Sequence, residues 1–180
     1  MLIRGEKMGI KIRFYEVTDS YIDFCRRFDT RVPENKVEDR KHPRKYVGIL
    51  FEVEGFKYFA PLSSPKPKHQ TMKEKVDFMK VEDDDGLYAV LNLNNMFPVP
   101  DSEIVEFEFD EIQDTKYRDL LEKEYLICRD KREKIIKNAH KVYEIVTVNK
   151  TQSFIGRCND FKLLETKCQE FETQQKAITN

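Results

Sequence analysis

Glycine is scarce in this chain of 180 residues, six in all, and none falls in the close run that a phosphate-cradling glycine loop requires. No G-x-S-x-G element surrounds either member of the Ser63-Ser64 pair, which excludes the nucleophile elbow of a Ser-His-Asp hydrolase. The four cysteines (Cys25, Cys128, Cys158, Cys168) lie far apart without C-x-x-C spacing, and the three histidines are as scattered. That distribution argues against a structural zinc site and fits reduced thiols in a cytoplasmic protein. No apolar run approaches the roughly 20 residues of a membrane span. A secretory signal's apolar core and small-residue cleavage site are also missing at the N-terminus. Asp83-Asp84-Asp85-Gly86 lacks the remainder of a calcium loop and reads as a hairpin turn. These absences leave phosphate handling by side chains, with no cofactor expected.

Charged residues make up 36% of the chain and apolar residues 39%, the balance of a globular protein with a densely charged surface. The length suits one domain with a real core. Residues 1–11 read as a flexible extension and 12–180 as that domain. The net charge of -1 hides a segregation. Residues 31–80 carry 12 Lys/Arg against 7 Asp/Glu, whereas residues 81–111 carry 10 Asp/Glu and no Lys/Arg. A local basic face can attract a polyanion, but pairing of these charges across the fold gives the same count.

The hydrophobic pattern places strands first and helices after. Ile12–Val17 alternates as a strand, and Thr18-Asp19-Ser20 caps a short helix with Tyr21, Phe24, Cys25 and Phe28 on one side. Residues 31–45, with Pro33 and Pro43, form a long loop. Tyr46–Val53 and Phe56–Pro61 are strands joined at Glu54-Gly55. Val76–Val81 and Leu87–Leu93 flank the acidic turn, Met96–Val99 adds a short strand, and Ile104–Phe109 alternates apolar with acidic residues. Beyond Asp114 the period becomes helical. Helices run through Cys128 and through Tyr143, and Asn159-Asp160 caps a last one. This is an α+β organisation.

The most telling stretch is Tyr58–His69, where an apolar strand runs into Ser63 and Ser64 and two prolines then bracket Lys66, with Lys68 and His69 beyond. Hydroxyls and cations at a strand's mouth can hold and polarise a phosphate. The prolines lower the ordering cost of presenting them. With RNA as partner, Lys66 is an electrostatic clamp on the non-bridging oxygens and Ser64 a hydrogen-bonding group. Arg44 is a second cation, and Tyr21 a hydroxyl or a stacking face for a base. His69 is a candidate proton carrier. The plainer alternatives are a capped turn at Ser63-Ser64, solvated lysines, and a core-edge tyrosine.

Several segments together resemble the ToxN/AbiQ family, the protein toxins of type III toxin–antitoxin and phage-abortive-infection systems. They are Phe14-Tyr15, Tyr21-Ile22, Phe28-Asp29 and Val32-Pro33, then Pro43–Gly48 and Lys57–Lys66. Weaker matches are Leu91–Met96 with Pro98, Tyr117-Arg118, and Cys158–Phe161 with Leu163–Glu165; the order holds from about Ile12 to Phe171. Ala-Pro-Leu-Ser-Ser-Pro-Lys is the specific element. The resemblance implies a strongly twisted antiparallel sheet flanked by helices, akin to MazF/Kid-type toxins. It also implies a sequence-selective, metal-independent endoribonuclease that leaves 2′,3′-cyclic phosphate and 5′-hydroxyl ends. A small repeat-derived RNA antitoxin is the implied inhibitor, bound in a multimeric assembly, with mRNA as target. Ser64, Ser63, Lys66, Tyr21 and Arg44 take the family's active-site positions. Arg44 stands where some relatives have lysine, and Lys41, Lys45, Tyr46, Lys68 and His69 are candidate RNA contacts. A non-catalytic RNA-binding module and a protein-interaction domain remain the rival readings.

Overall fold

A computed structural model describes residues 11–35 and 41–179. The expected N-terminal extension lies outside the described residues save for Lys11, as do residues 36–40 of the long loop. The strands are β1 (Arg13–Val17), β2 (Tyr46–Gly48), β3 (Glu52–Val53), β4 (Phe56–Ser63), β5 (Phe78–Asp83), β6 (Gly86–Asn92), β7 (Phe97–Pro98) and β8 (Ile104–Val105). The helices are α1 (Asp19–Arg26), α2 (Pro67–Thr71), α3 (Thr115–Asp130), α4 (Arg132–Thr147), α5 (Gln152–Ile155) and α6 (Phe161–Thr179). All strand pairings are antiparallel, in the order β5-β6-β4-β2-β1-β8 with β3 and β7 also on β4.

β4 is the hub. Its residues pair in succession with β3 (Phe56, Lys57), β7 (Tyr58, Phe59), β2 (Ala60, Pro61) and β6 (Leu62, Ser63). Period-two alternation sends its side chains to two separate cores. Tyr58, Ala60 and Leu62 pack with α3 and α4, while Phe59 packs with α1 and α6. Helices thus cover both faces of the sheet, which is why the β4 sequence is nearly continuously apolar. Glu165 on α6 ties these layers together, accepting from Tyr58 Oη at 2.8 Å and Tyr143 Oη at 2.7 Å.

The local signals act as their chemistry dictates. Thr18 caps α1 and Asp114 caps α3, accepting from the Tyr117 amide at 3.1 Å. Glu54 and Gly55 both have positive φ, 51° and 86°, which closes the β3–β4 turn. Two expectations needed correction. Tyr46–Val53 is interrupted between β2 and β3, where Leu50 and Phe51 still bond Tyr58 at 3.0 Å each but Ile49 drops out of the ladder. Ile104–Phe109 keeps strand geometry only in β8, because Phe107 and Phe109 turn onto the core below α3. The two helical patterns expected beyond Asp114 are α3 and α4, which meet at Lys131.

Candidate active site

The central strand ends in the proline-braced turn. Ser63 is the last residue of β4, and Pro67 begins the five-residue α2, where its missing amide costs nothing. Lys66 and His69 then bond each other reciprocally. The Lys66 amide donates to His69 Nδ1 at 3.0 Å, and the His69 amide donates to the Lys66 carbonyl at 2.8 Å. That pair fixes the turn in which Ser64, Lys66 and Lys68 stand exposed. Neither lysine forms an ion pair among the described residues, so both ammonium groups face solvent.

Arg44 supports the turn from behind. The residue is 9% exposed, and its guanidinium donates to Ser63 Oγ at 2.8 Å, the Leu62 carbonyl at 3.2 Å and the Glu34 carbonyl at 3.3 Å. Ser63 Oγ also accepts from Asn92 Nδ2 at 3.3 Å. With both lone pairs engaged, the Ser63 hydroxyl keeps its own hydrogen for a ligand. Lys45 beside it is buried, paired with Glu16, with its ammonium 4.6 Å above the Phe107 ring.

A cavity of about 540 Å³ opens along this turn. Residues 41–45 and 62–65 form one side, and Tyr88, Ala89 and the Tyr117–Glu124 face of α3 form the other. Asp114, at the start of α3, holds the rim by accepting from Lys41 Nζ at 3.0 Å and by its contact with His42 Nε2 at 3.3 Å. The Lys41 hydrogen bond and the Tyr117 amide hold the Asp114 carboxyl at about 2. His42 lies flat on Tyr117, centroids 3.8 Å apart.

The structure gathers Ser63, Ser64, Arg44, Lys45 and Lys41 around one cavity and keeps Lys66, Lys68 and His69 on the adjoining turn. It removes two expected residues. Tyr21 is fully buried, its hydroxyl donates to the Pro98 carbonyl at 2.7 Å, and Phe97 and Phe171 flank its ring. It packs α1 onto the sheet and cannot touch RNA from there. Tyr46 is likewise fully buried, with its hydroxyl on Asn35 at 2.7 Å. Its inward strand position was masked by the polar Arg44 and Lys45 before it. His69 is corrected in role: it is 8% exposed against Phe78 and braces the turn. Burial, then the charges of Lys68, Lys66 and Lys80, push its imidazole below the ordinary value. His42, Tyr117 and Glu124 carry no site role in the sequence reading. Helical spacing places Tyr117 and Glu124 seven residues apart on one face, but nothing local says that the face lines a cavity.

The Ser63 hydroxyl, held by the Arg44 guanidinium, thus stands beside two ammonium groups that form no ion pair among the described residues, on a turn at the end of the central strand of an α+β scaffold. A family model described as toxin ToxN of a type III toxin–antitoxin system matches residues 13–169, and the chain belongs to this family. The endoribonuclease ToxN of Bacillus thuringiensis subsp. kurstaki is 36% identical over 172 residues, covering 92% of this chain and 87% of the relative. A solved structure from work on selective toxin inhibition by a non-coding RNA pseudoknot superposes with a TM-score of 0.80 at 34% identity, covering 90% of this chain and 98% of that one. AbiQ, a lactococcal anti-phage endoribonuclease, superposes at 0.78 with 27% identity, covering 91% and 99%.

Proposed function

We propose that the protein is the endoribonuclease toxin of a type III toxin–antitoxin system and that the Ser63–Lys66 turn with Arg44 is its active centre. The observation that carries this reading is the delivery of Ser63 and Ser64 from the end of β4 to one cavity, with Lys66 exposed on the turn beside it. Cleavage proceeds by in-line attack of a ribose 2′-hydroxyl on the adjacent phosphorus, without a metal. The 5′-oxygen leaves, giving a 2′,3′-cyclic phosphate and a 5′-hydroxyl. Lys66 offsets the charge that develops on the non-bridging oxygens, and the Ser64 and Ser63 hydroxyls hydrogen-bond the same group. Arg44 orients Ser63 and adds a fixed positive charge. Lys41 and Lys68 guide the strand, Lys45 is held in its ion pair with Glu16, and His69 holds the turn that presents Lys66.

The same surface serves the inhibitor. A small repeat-derived RNA seated on it occludes the centre by the contacts that bind target mRNA, and several toxin copies close with it into a larger assembly. Residues 12–180 act as one catalytic unit in the cytoplasm. The antiparallel sheet with helices on both faces supports a strongly twisted, MazF/Kid-like architecture. Among the described residues no helix is long and apolar enough to cross a membrane.

The test is incubation with total RNA and a chelator, followed by mapping of new ends. Wild type yields 5′-hydroxyl ends at preferred sequences, and Ser64→Ala or Lys66→Ala lowers the rate by about 100-fold or more in proteins that melt like wild type. Intact RNA that is nevertheless retained at low salt would instead make this a binding module. No RNA retention at all would leave the protein-interaction reading.

A further inference from the structure

One carboxyl in the cavity has no part in the chemistry above. Glu124 on α3 is 6% exposed, shares the cavity with Ser63, Ser64 and Arg44, and forms no hydrogen bond or ion pair among the described residues. The apolar part of the cavity lining is Leu62, Ala89, Leu120 and Leu121 with the Tyr88 and Tyr117 side chains. Apolar side chains on one side of a cavity with a buried polar group among them suit a flat heterocycle, because they take its faces and the polar group fixes its edge. Burial pushes the Glu124 carboxyl up to about 8, so the neutral acid predominates at neutral pH.

We propose that this cavity takes one nucleobase of the bound RNA and that the Glu124 carboxyl reads its edge by hydrogen bonds. The proposal rests on the reading of the adjoining turn as the RNA phosphate site, since that contact brings the base into register. A neutral carboxyl sets a donor beside an acceptor and matches a base edge with the reverse pair. An ionised carboxylate only accepts, and it matches the two adjacent donors on the edge of guanine. Glu124 therefore makes base preference depend on pH, with guanine gaining as pH rises.

The charged and titratable groups on the other walls are Lys41, His42, Arg44 and Lys45 ahead of β2 and Tyr88 on β6. Tyr117 shares α3 with Glu124, and Cys128, one turn on, feels the Glu124 charge. All are retained in Glu124→Gln, so comparison with wild type isolates the carboxyl.

The experiment titrates the four nucleoside 3′-monophosphates into wild type, Glu124→Gln and Glu124→Leu between about pH 6 and 9, with thermal melts confirming that each variant folds. Wild type should lose affinity for its preferred base by about tenfold between pH 7 and 9, following its neutral fraction. Glu124→Gln, with a permanent donor and acceptor, should hold its affinity across the range and outbind wild type at the alkaline end. Glu124→Leu should bring the four bases within about twofold of one another, since apolar contact alone discriminates weakly. A wild-type base order in Glu124→Leu, the same pH dependence in wild type and Glu124→Gln, or no saturable binding of any nucleotide would each overturn the proposal. Failure here leaves cleavage by the Ser64–Lys66 turn standing, whereas base-selective binding without new RNA ends removes the nuclease and keeps the pocket.

Discussion

Asp29 is the clearest case of one residue organising several segments. Its buried carboxylate accepts from Arg31 Nε at 2.8 Å, from the Arg31 amide at 3.0 Å and from the Asp160 amide at the start of α6 at 2.7 Å. Burial pushes its pKa up, but the hydrogen bonds from Arg31 and Asp160 outweigh it and hold the carboxyl below the ordinary value. Its stabilisation is complete above the unfolded value of about 4 and is lost as pH falls through the folded one. Asp29→Asn is expected to destabilise by about 1.5–3 kcal/mol at neutral pH, the range for hydrogen bonds to a charged group. Urea unfolding across acid pH checks this: the wild-type advantage should shrink below about pH 4. The Phe28-Asp29 pair was visible in the sequence as part of a resemblance. Its partner Asp160, 131 residues away, was visible only as a helix cap.

At the scale of elements, β2 crosses β4 at a point where only glycine fits. A Cβ built on Gly48 would lie 2.2 Å from Cδ1 of the buried Phe59, itself packed edge-on to Tyr15 at 5.5 Å. Gly48→Ala should cost at least about 1–3 kcal/mol as an overpacked core, read as a lower denaturant midpoint with unchanged slope. The sequence marked Tyr46–Val53 as one strand because its residues share high strand propensity. Propensity carries no information about which segment of β4 each half must meet. α2 escaped notice for the opposite reason: Pro65 and Pro67 signal a loop, yet Pro67 sits at a helix start, where proline is tolerated. The caps at Thr18 and Asp160 were legible because capping is local chemistry, complete within three or four residues.

Over the whole molecule, part of the charge segregated along the chain is paired in space. Lys123 meets Asp83 at 3.2 Å and Asp85 at 3.1 Å, Lys57 meets Asp101 at 2.8 Å, and Lys45 meets Glu16. The exposed ammonium groups of Lys66 and Lys68 are left for a polyanion. RNA affinity is therefore expected to fall with salt, and the Lys66→Ala/Lys68→Ala double variant should flatten the log–log slope by about 0.7 per lost phosphate contact. Filter binding of a 2′-deoxy-substituted strand, which cannot be cleaved, gives that slope directly.

The amino-acid sequence by itself determined the α+β order, the helix caps, the Glu54-Gly55 and acidic turns, and the hydroxyl–lysine turn, because each is written in neighbouring residues. Only the tertiary structure decided that Tyr21 and Tyr46 face inward, that Arg44 stands behind Ser63, and that α3 brings Glu124 into the same cavity. Burial and juxtaposition depend on how distant segments pack, and no local pattern of residues encodes that packing.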